Sequence, residues 1–316
     1  MEELKNYKYD QLEVARTIGE PLDPRKAFPD LVSLVCETET VPPEDITYYY
    51  DSLLETDKII TITTTGELTT QNITADEPAL LSFTDISTPE YYVKITDLAK
   101  SKEATLARKM KTINRSLNMY ENYYVESLLS AGATASSHTH TLQSGRTRFS
   151  YDDVILMLED VVDFGDNYVL VVGSQVDQDM KLWDWNDNKY SSMIEAFKDL
   201  GIQKVRMPGS SPFEFTVDGP QKVMLNSNVA YLVALNTEMG KPNLFVRKQL
   251  NDIDMLGAAI KQNGDKPQRL VFASPNPIAV NVSGTAKRYL AVGLTGYEEI
   301  VAANTCPYAV AKFTRQ

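Results

Sequence analysis

The chain has 316 residues with 43 Asp and Glu against 31 Lys and Arg, a formal charge of -12, and a hydrophobic fraction of 43%. Its length suggests about two domains and a sizeable buried core, and its near-average composition excludes collagen-like, low-complexity and disordered classes. The acidic balance argues against a protein whose main task is gripping nucleic acid, because neutralising phosphates takes clustered Lys and Arg.

The first five residues, Met1-Glu2-Glu3-Leu4-Lys5, lack the basic start and apolar run of a signal peptide. The longest apolar runs, such as Tyr168 to Val172, fall far short of the roughly 20 residues that span a bilayer. A secreted or membrane-spanning chain is therefore not expected. Cys36 and Cys306 stand far apart among apolar neighbours, which suits reduced, buried thiols and no disulfide framework.

Residues 1–45 mix charges with Pro21, Pro24, Pro29, Pro42 and Pro43 and show one short helical stretch, Gln11 to Thr17. They read as an extended arm that becomes ordered only by packing on something else. The run Lys58-Ile59-Ile60-Thr61-Ile62-Thr63-Thr64-Thr65 is a β signal ending at Gly66, and Tyr91-Tyr92-Val93-Lys94-Ile95-Thr96 restores it. The two predict the legs of a long hairpin, which as a lone ribbon is marginal in water and needs a neighbour.

Leu106, Met110, Ile113, Leu117, Tyr120, Tyr124 and Leu128 recur at spacings of three and four, predicting an amphipathic helix over 100–131 that Gly132 stops. It would run roughly 45 Å. Its first half carries Lys100, Lys102, Arg108, Lys109, Lys111 and Arg115 against Glu103 alone, most simply a solvated face.

After a small-residue linker from Ala131 to Gly145, Ser150 reads as the N-cap of a helix from Tyr151 to Val162, with Asp152 and Asp153 in its first turn. Tyr168 to Gly173, Val205 and Val229 to Leu235 read as strands, and Tyr190 to Leu200 as a helix closed by Gly201. This alternation predicts a sheet covered by helices. Arg269 to Ala273, Ile278 to Val282 and Arg288 to Leu294 are further strands punctuated by Pro and Gly.

The order of arm, long hairpin, very long helix, mixed α/β region and terminal β segments resembles the major capsid proteins of tailed double-stranded DNA bacteriophages of the Hong Kong 97 type. The ending Arg288-Tyr289-Leu290-Ala291-Val292-Gly293-Leu294-Thr295-Gly296-Tyr297, then Asn304-Thr305-Cys306-Pro307-Tyr308-Ala309-Val310, is similar to that family's ending, with a Gly-Tyr turn and a Pro-aromatic-Ala strand. The resemblance implies an α+β fold. Its parts would be an N-arm (1–45), the start of a peripheral domain (46–56), an E-loop (57–97), the peripheral domain with its spine helix (98–150), an axial domain (151–243) and a return to the peripheral domain (244–316).

It also implies a structural role without catalysis: self-assembly into pentamers and hexamers of an icosahedral shell around packaged DNA. Partners would be further copies of the chain, a portal, and separate scaffolding or decoration proteins. The location would be the virion capsid, assembled in the host cytoplasm. Acidity is compatible with a wall that encloses DNA without binding it tightly. The segment Gly66 to Glu90 has no lysine, and Lys58 and Lys94 sit on the legs, so the lysine–asparagine weld known in the family is not expected. Only about 45 residues precede the hairpin, which implies a scaffold that is a separate protein. Encapsulins, nanocompartment shells that share this fold, are the alternative.

Competing chemistry is sparse, and no catalytic, cofactor-binding or metal-binding residue is assigned. His138-Thr139-His140 could share a metal if a strand pointed both rings to one side, the basis of a second alternative, a metal-dependent soluble enzyme; a polar loop is the simpler reading. No Gly-x-Ser-x-Gly elbow accompanies the serines or Cys36. Asp177, Asp179, Asp184 and Asp187 around Trp183 and Trp185 read as a solvated loop tip, with a hard-cation site as the lesser option. Met207-Pro208-Gly209-Ser210-Ser211-Pro212 lacks the lysine and helix of a phosphate loop and reads as a turn.

Overall fold

The computed structural model describes residues 29–50, 79–142, 145–183, 192–208, 214–216, 221–236, 240–250, 268–273, 278–281 and 288–315. The predicted helix at Gln11–Thr17, the strand at Lys58–Thr65 and most of the hairpin tip lie outside them.

The segment 31–41 departs from the expected arm. Leu31–Val35 forms a short helix (α1) and Cys36–Val41 a strand (β1) paired in parallel with Asn243–Lys248. Leu31, Val32, Val35 and Cys36 are buried. The prolines and acids dominate the composition here, but the local Leu-Val-Ser-Leu-Val-Cys run supplies enough apolar surface to fix this stretch in the core.

Thr47–Tyr50 (β2) pairs antiparallel with Ala79–Ser82 (β3). Thr84–Ser87 (β4) and Tyr91–Lys94 (β5) follow, and both pair with the chain's long strand Arg288–Asn304. Tyr91–Lys94 is thus a rung of the central sheet, not the second leg of a free hairpin. Val93 and Tyr91 face Val292 and Leu294 across it, and that apolar match outweighs a solvated ribbon pairing.

The long helix (α2) spans Ile95–Ala135, 41 residues or about 60 Å, longer at both ends than expected. Gly132 does not stop it. A Cβ on Gly132 would lie 2.2 Å from Asn304 Nδ2, so the glycine allows close approach to the sheet. The helix ends one turn later, where Ser137 takes the left-handed conformation at φ 64°. The buried stripe also shifts: Tyr120, Tyr124 and Leu128 are half-buried, whereas Glu121, Val125 and Leu129 are buried.

Thr139–Thr141 (β6) turns the supposed linker into a strand. Tyr151–Val161 (α3) starts at Ser150, whose N–H and hydroxyl both donate to the Asp153 carboxylate at 2.7 and 2.6 Å. Asn167–Val172 (β7), Ser174–Met180 (α4), Met193–Asp199 (α5) and Ile202–Arg206 (β8) follow. Ser192 caps α5 by accepting the Glu195 N–H, and Gly201, at φ 66°, closes it.

Glu214–Thr216 (β9) and Gln221–Val223 (β10) form a small hairpin. Val229–Leu235 (β11), Asn243–Lys248 (β12), Arg269–Ala273 (β13), Ile278–Asn281 (β14), Arg288–Asn304 (β15) and Val310–Thr314 (β16) complete the chain. Among the described residues β15 is the spine of a seven-stranded sheet: β12, β13 and β14 pair along it, β4 and β5 also pair with it, and β1 lies beyond β12. A five-stranded sheet runs β6-β16-β11-β7-β8.

The expected Gly-Tyr turn at Gly296-Tyr297 lies inside β15 instead. A Cβ on Gly296 would meet Ile113 Cγ2 at 2.3 Å, so this glycine lets the strand lie flat against α2. Pro307–Ala309 is a 3-10 turn, not a strand. That turn carries β16 out of the seven-stranded sheet and into the five-stranded one, beside β11, so the last strand of the segment read as a return, 244–316, belongs with β7 and β11. One apolar core runs through both sheets: Ile113, Leu117 and Val125 of α2 pack in a single cluster with Val292 and Leu294 on one side and Val169, Tyr231 and Val310 on the other. Among the described residues no helix is long and apolar enough to cross a membrane.

Candidate functional site

The most heavily built polar feature is the joint between α2 and the seven-stranded sheet. Residues 294, 296, 298 and 300 of β15 share one face by strand alternation, and Leu294, Gly296 and Ile300 lie against the helix. Glu298 takes the remaining place on that face and is fully buried. Arg269 is its cross-strand partner, and Arg247 stands opposite Ile300 on the same face. Glu121 enters from the helix, also buried.

Four charges thus meet in the core. Arg269 Nε donates to Glu298 Oε2 at 2.6 Å, its Nη2 to Glu121 Oε2 at 2.8 Å, and its Nη1 to Asn118 Oδ1 at 2.7 Å. Arg247 donates through Nε and Nη2 to Glu121 Oε1 at 2.9 and 2.8 Å. Burial alone would favour neutral Arg269, but the two carboxylates more than offset that and hold it charged. Burial pushes Glu298 up to about 7, against the opposing pull of Arg269.

The joint to the five-stranded sheet has a different character. Tyr231 donates its phenol proton to Glu126 Oε1 at 2.6 Å, and Lys312 donates to Ser130 Oγ at 2.8 Å. Burial raises both Tyr231 and Glu126 above their ordinary values. On the N-terminal side Asn122 accepts the Leu31 N–H at 2.7 Å and so fastens α1 to the helix.

The residues singled out from the sequence have other roles. His138 and His140 bracket or lie in β6, not a loop, yet they turn to separate partners. His140 Nε2 lies 2.6 Å from Asp160 Oδ2, and the His138 ring packs edge-on against Tyr308. No group of three or more His, Cys, Asp or Glu that could hold a metal ion occurs among the described residues. Asp177 and Asp179 lie buried on α4, not in a solvated loop. Lys181 and Lys204 reach Asp177 at 2.8 and 2.9 Å, while Asp179 accepts the Phe149 N–H at 3.0 Å and pairs with Arg315 at 3.3 Å. These partners hold Asp177 below the usual carboxylate range despite the opposing effect of burial.

Trp183 donates Nε1 to the Phe149 carbonyl at 2.8 Å; Asp184, Trp185 and Asp187 lie outside the described residues, as does the loop beyond Pro208. Burial pushes the Cys36 thiol up to about 12 and raises Cys306 as well, which makes both poor nucleophiles. Lys94 rests over the Tyr289 ring at 4.8 Å, and Lys58 lies outside the described residues.

The charged joint was missed in the sequence, although one sign of it was visible. Glu121 follows Leu117 by four residues, the spacing of a core position. What could not be read was the source of its partners, Arg247 and Arg269, which come from strands far along the chain.

Large apolar side chains also stand in solvent: Ile46 just before β2, Leu80 on β3, Leu182 just after α4, Ile194 on α5 and Leu290 on β15. On α2, Arg108 and Lys111 are exposed.

No family model matches the sequence, and no curated protein does. Solved structures do match in fold. The virus-like particle from Pyrococcus furiosus aligns over 96% of this chain and 98% of its own, with a TM-score of 0.51 at 10% identity. The capsid structure of cyanophage P-SCSP1u aligns over 94% and 91%, with a TM-score of 0.50 at 10% identity. A phage-related protein from Bordetella bronchiseptica aligns over 96% of both chains, with a TM-score of 0.53 at 12% identity. With a helix of about 60 Å laid along a 17-residue strand, and a second sheet at the helix end, the chain has the Hong Kong 97-type capsid fold.

Proposed function

We propose that this chain is a major capsid protein of a tailed bacteriophage, a structural subunit that assembles into pentamers and hexamers of a closed icosahedral shell around double-stranded DNA. The observation that carries this reading is the fold, shared over almost the whole length with proteins described as a virus-like particle and a phage capsid. In this reading the seven-stranded sheet and α2 form the peripheral domain. The five-stranded sheet with α3, α4 and α5 forms the axial domain that packs around capsomer axes. The segment from β2 to β3 is the E-loop, laid over a neighbouring subunit, and the N-arm lies within residues 1–45.

A lone ribbon is marginal in water and so favours subunits that wrap over one another. Obligate interfaces of this kind commonly bury roughly 2,000 Å² or more. Exposed Ile46, just before β2, and Leu80, on β3, fit such a contact. The role is structural and not enzymatic. Further partners are a portal and separate scaffolding or decoration proteins, the subunits assemble in the host cytoplasm, and the shell holds without a lysine-tipped covalent weld.

Electron microscopy of the expressed protein, alone and with its candidate scaffold, tests the proposal. Closed shells support it, and those recovered from infected cells contain DNA. A chain that stays monomeric under all these conditions overturns it, and shells filled with a protein cargo in place of DNA assign it to a nanocompartment. On a denaturing gel, dissociated particles run as monomer; a ladder of covalent multimers contradicts the absence of a weld.

A further inference from the structure

We propose that Glu298 is a proton-binding site built into the joint between α2 and the seven-stranded sheet, holding its proton in the folded chain and releasing it as the solution becomes alkaline, which loosens the joint. The geometry singles out this residue. Glu121 has both oxygens engaged, Oε1 by two nitrogens of Arg247 and Oε2 by Arg269. Arg269 spends all three of its nitrogens, on Glu298, Glu121 and Asn118. Glu298 has a single charged partner through Oε2, and its buried Oε1 has no hydrogen-bond partner among the described residues. Two carboxylates therefore share Arg269, and the one with half its oxygens unpartnered is the harder to keep ionised.

The charged and titratable groups that face Glu298 are Glu121 from α2, Arg247 from β12 and Arg269 from β13; β4 presents Ile86 opposite it. Tyr297 and Glu299, its neighbours on β15, point to the other face, where Tyr297 donates to Glu299 and Lys248 pairs with it. With both glutamates ionised the cluster is neutral, yet burial still raises Glu298 to about 7.

A carboxyl raised in the folded state binds its proton more tightly there than in the unfolded chain. Its contribution to stability is full below about pH 4.5 and is lost as pH rises through about 7. The inference uses groups of one chain only, and it stands or falls separately from shell assembly.

The test compares the wild type with Glu298→Gln, which mimics the protonated side chain. From about pH 5 to about pH 9 the melting temperature of the wild type falls relative to that of the variant by on the order of 5 °C. Over the same range the infrared carbonyl absorption that the wild type has in excess of Glu298→Gln, that of the protonated Glu298 carboxyl, fades as pH rises. In Glu121→Gln, where Glu298 is the one carboxylate left to Arg269, the absorption fades at lower pH. Parallel melting profiles, or an infrared absorption unchanged by Glu298→Gln, overturn the proposal. Should that variant not fold, a midpoint that is the same in wild type and Glu121→Gln overturns it.

Discussion

The long helix meets the seven-stranded sheet around Glu121 and the five-stranded sheet around Glu126, barely more than one turn apart, yet the two joints are built from different materials. The first gathers two carboxylates and two guanidinium groups in the core, with Arg269 tied to Glu121, Glu298 and Asn118 at once. The second is mainly apolar, with Leu129, Val233 and Val310 in the same buried cluster, and its polar part is a phenol on a carboxyl and an ammonium on a hydroxyl. Apolar packing tolerates small shifts. A fork of guanidinium bonds holds only at one register, so the charged joint fixes where along its length the helix sits on β15.

Breaking the charged joint at its centre brings the largest effect. Arg269→Met leaves Glu298 without its ion-pair partner and Glu121 with Arg247 alone. Removing one member of a buried charge set costs about 3–5 kcal/mol, far more than the set contributes against apolar replacements of similar volume. Denaturant unfolding of Arg269→Met shows that loss, and adding Glu298→Leu recovers most of it. If the double variant is no more stable than the single one, the charges are not what makes the site sensitive.

The apolar joint responds more mildly. Tyr231→Phe keeps the ring in place and removes the proton donated to Glu126 Oε1, leaving a buried carboxyl short of a partner. The loss is about 1–2 kcal/mol by the same measurement. Burial already raises Glu126, and the phenol opposes that, so the variant raises it further. The loss therefore shrinks at low pH, where a neutral carboxyl is easier to leave unpaired. A loss as large as that of Arg269→Met erases the contrast between the joints.

What the sequence showed and concealed follows the same division. The α2 periodicity, the Ser150 start of α3 and the Gly201 stop of α5 were legible because each is decided within a few neighbouring residues. Gly132 and Gly296 misled because a glycine that ends an element and one that admits a neighbour look alike in a string. Only Asn304 and Ile113, brought against them by the fold, tell the two apart. Tyr91–Lys94 was legible as a strand but not as a partner of Ala291–Leu294, since register with a distant segment leaves no local mark. Glu121 was hidden for the same reason, and Asp177 looked like a surface acid because Lys204 and Arg206 come from β8. The apolar segment 31–36 was obscured by the charges and prolines around it.

The smallest effect is expected at the histidines, whose rings take no part in the polar contacts of either joint. His140 and Asp160 are each about a quarter exposed, so water screens their pairing and a side chain is freed when it breaks. His140→Ala shifts the unfolding free energy by about 0.2–1 kcal/mol, well below either joint variant. Replacing His138 as well leaves the zinc content of the purified protein unchanged, because the two rings serve different neighbours, Tyr308 and Asp160. Stoichiometric zinc that vanishes in the double variant shows instead that both rings can turn to one ion, and it moves β6 from a structural edge strand to a ligand-bearing one.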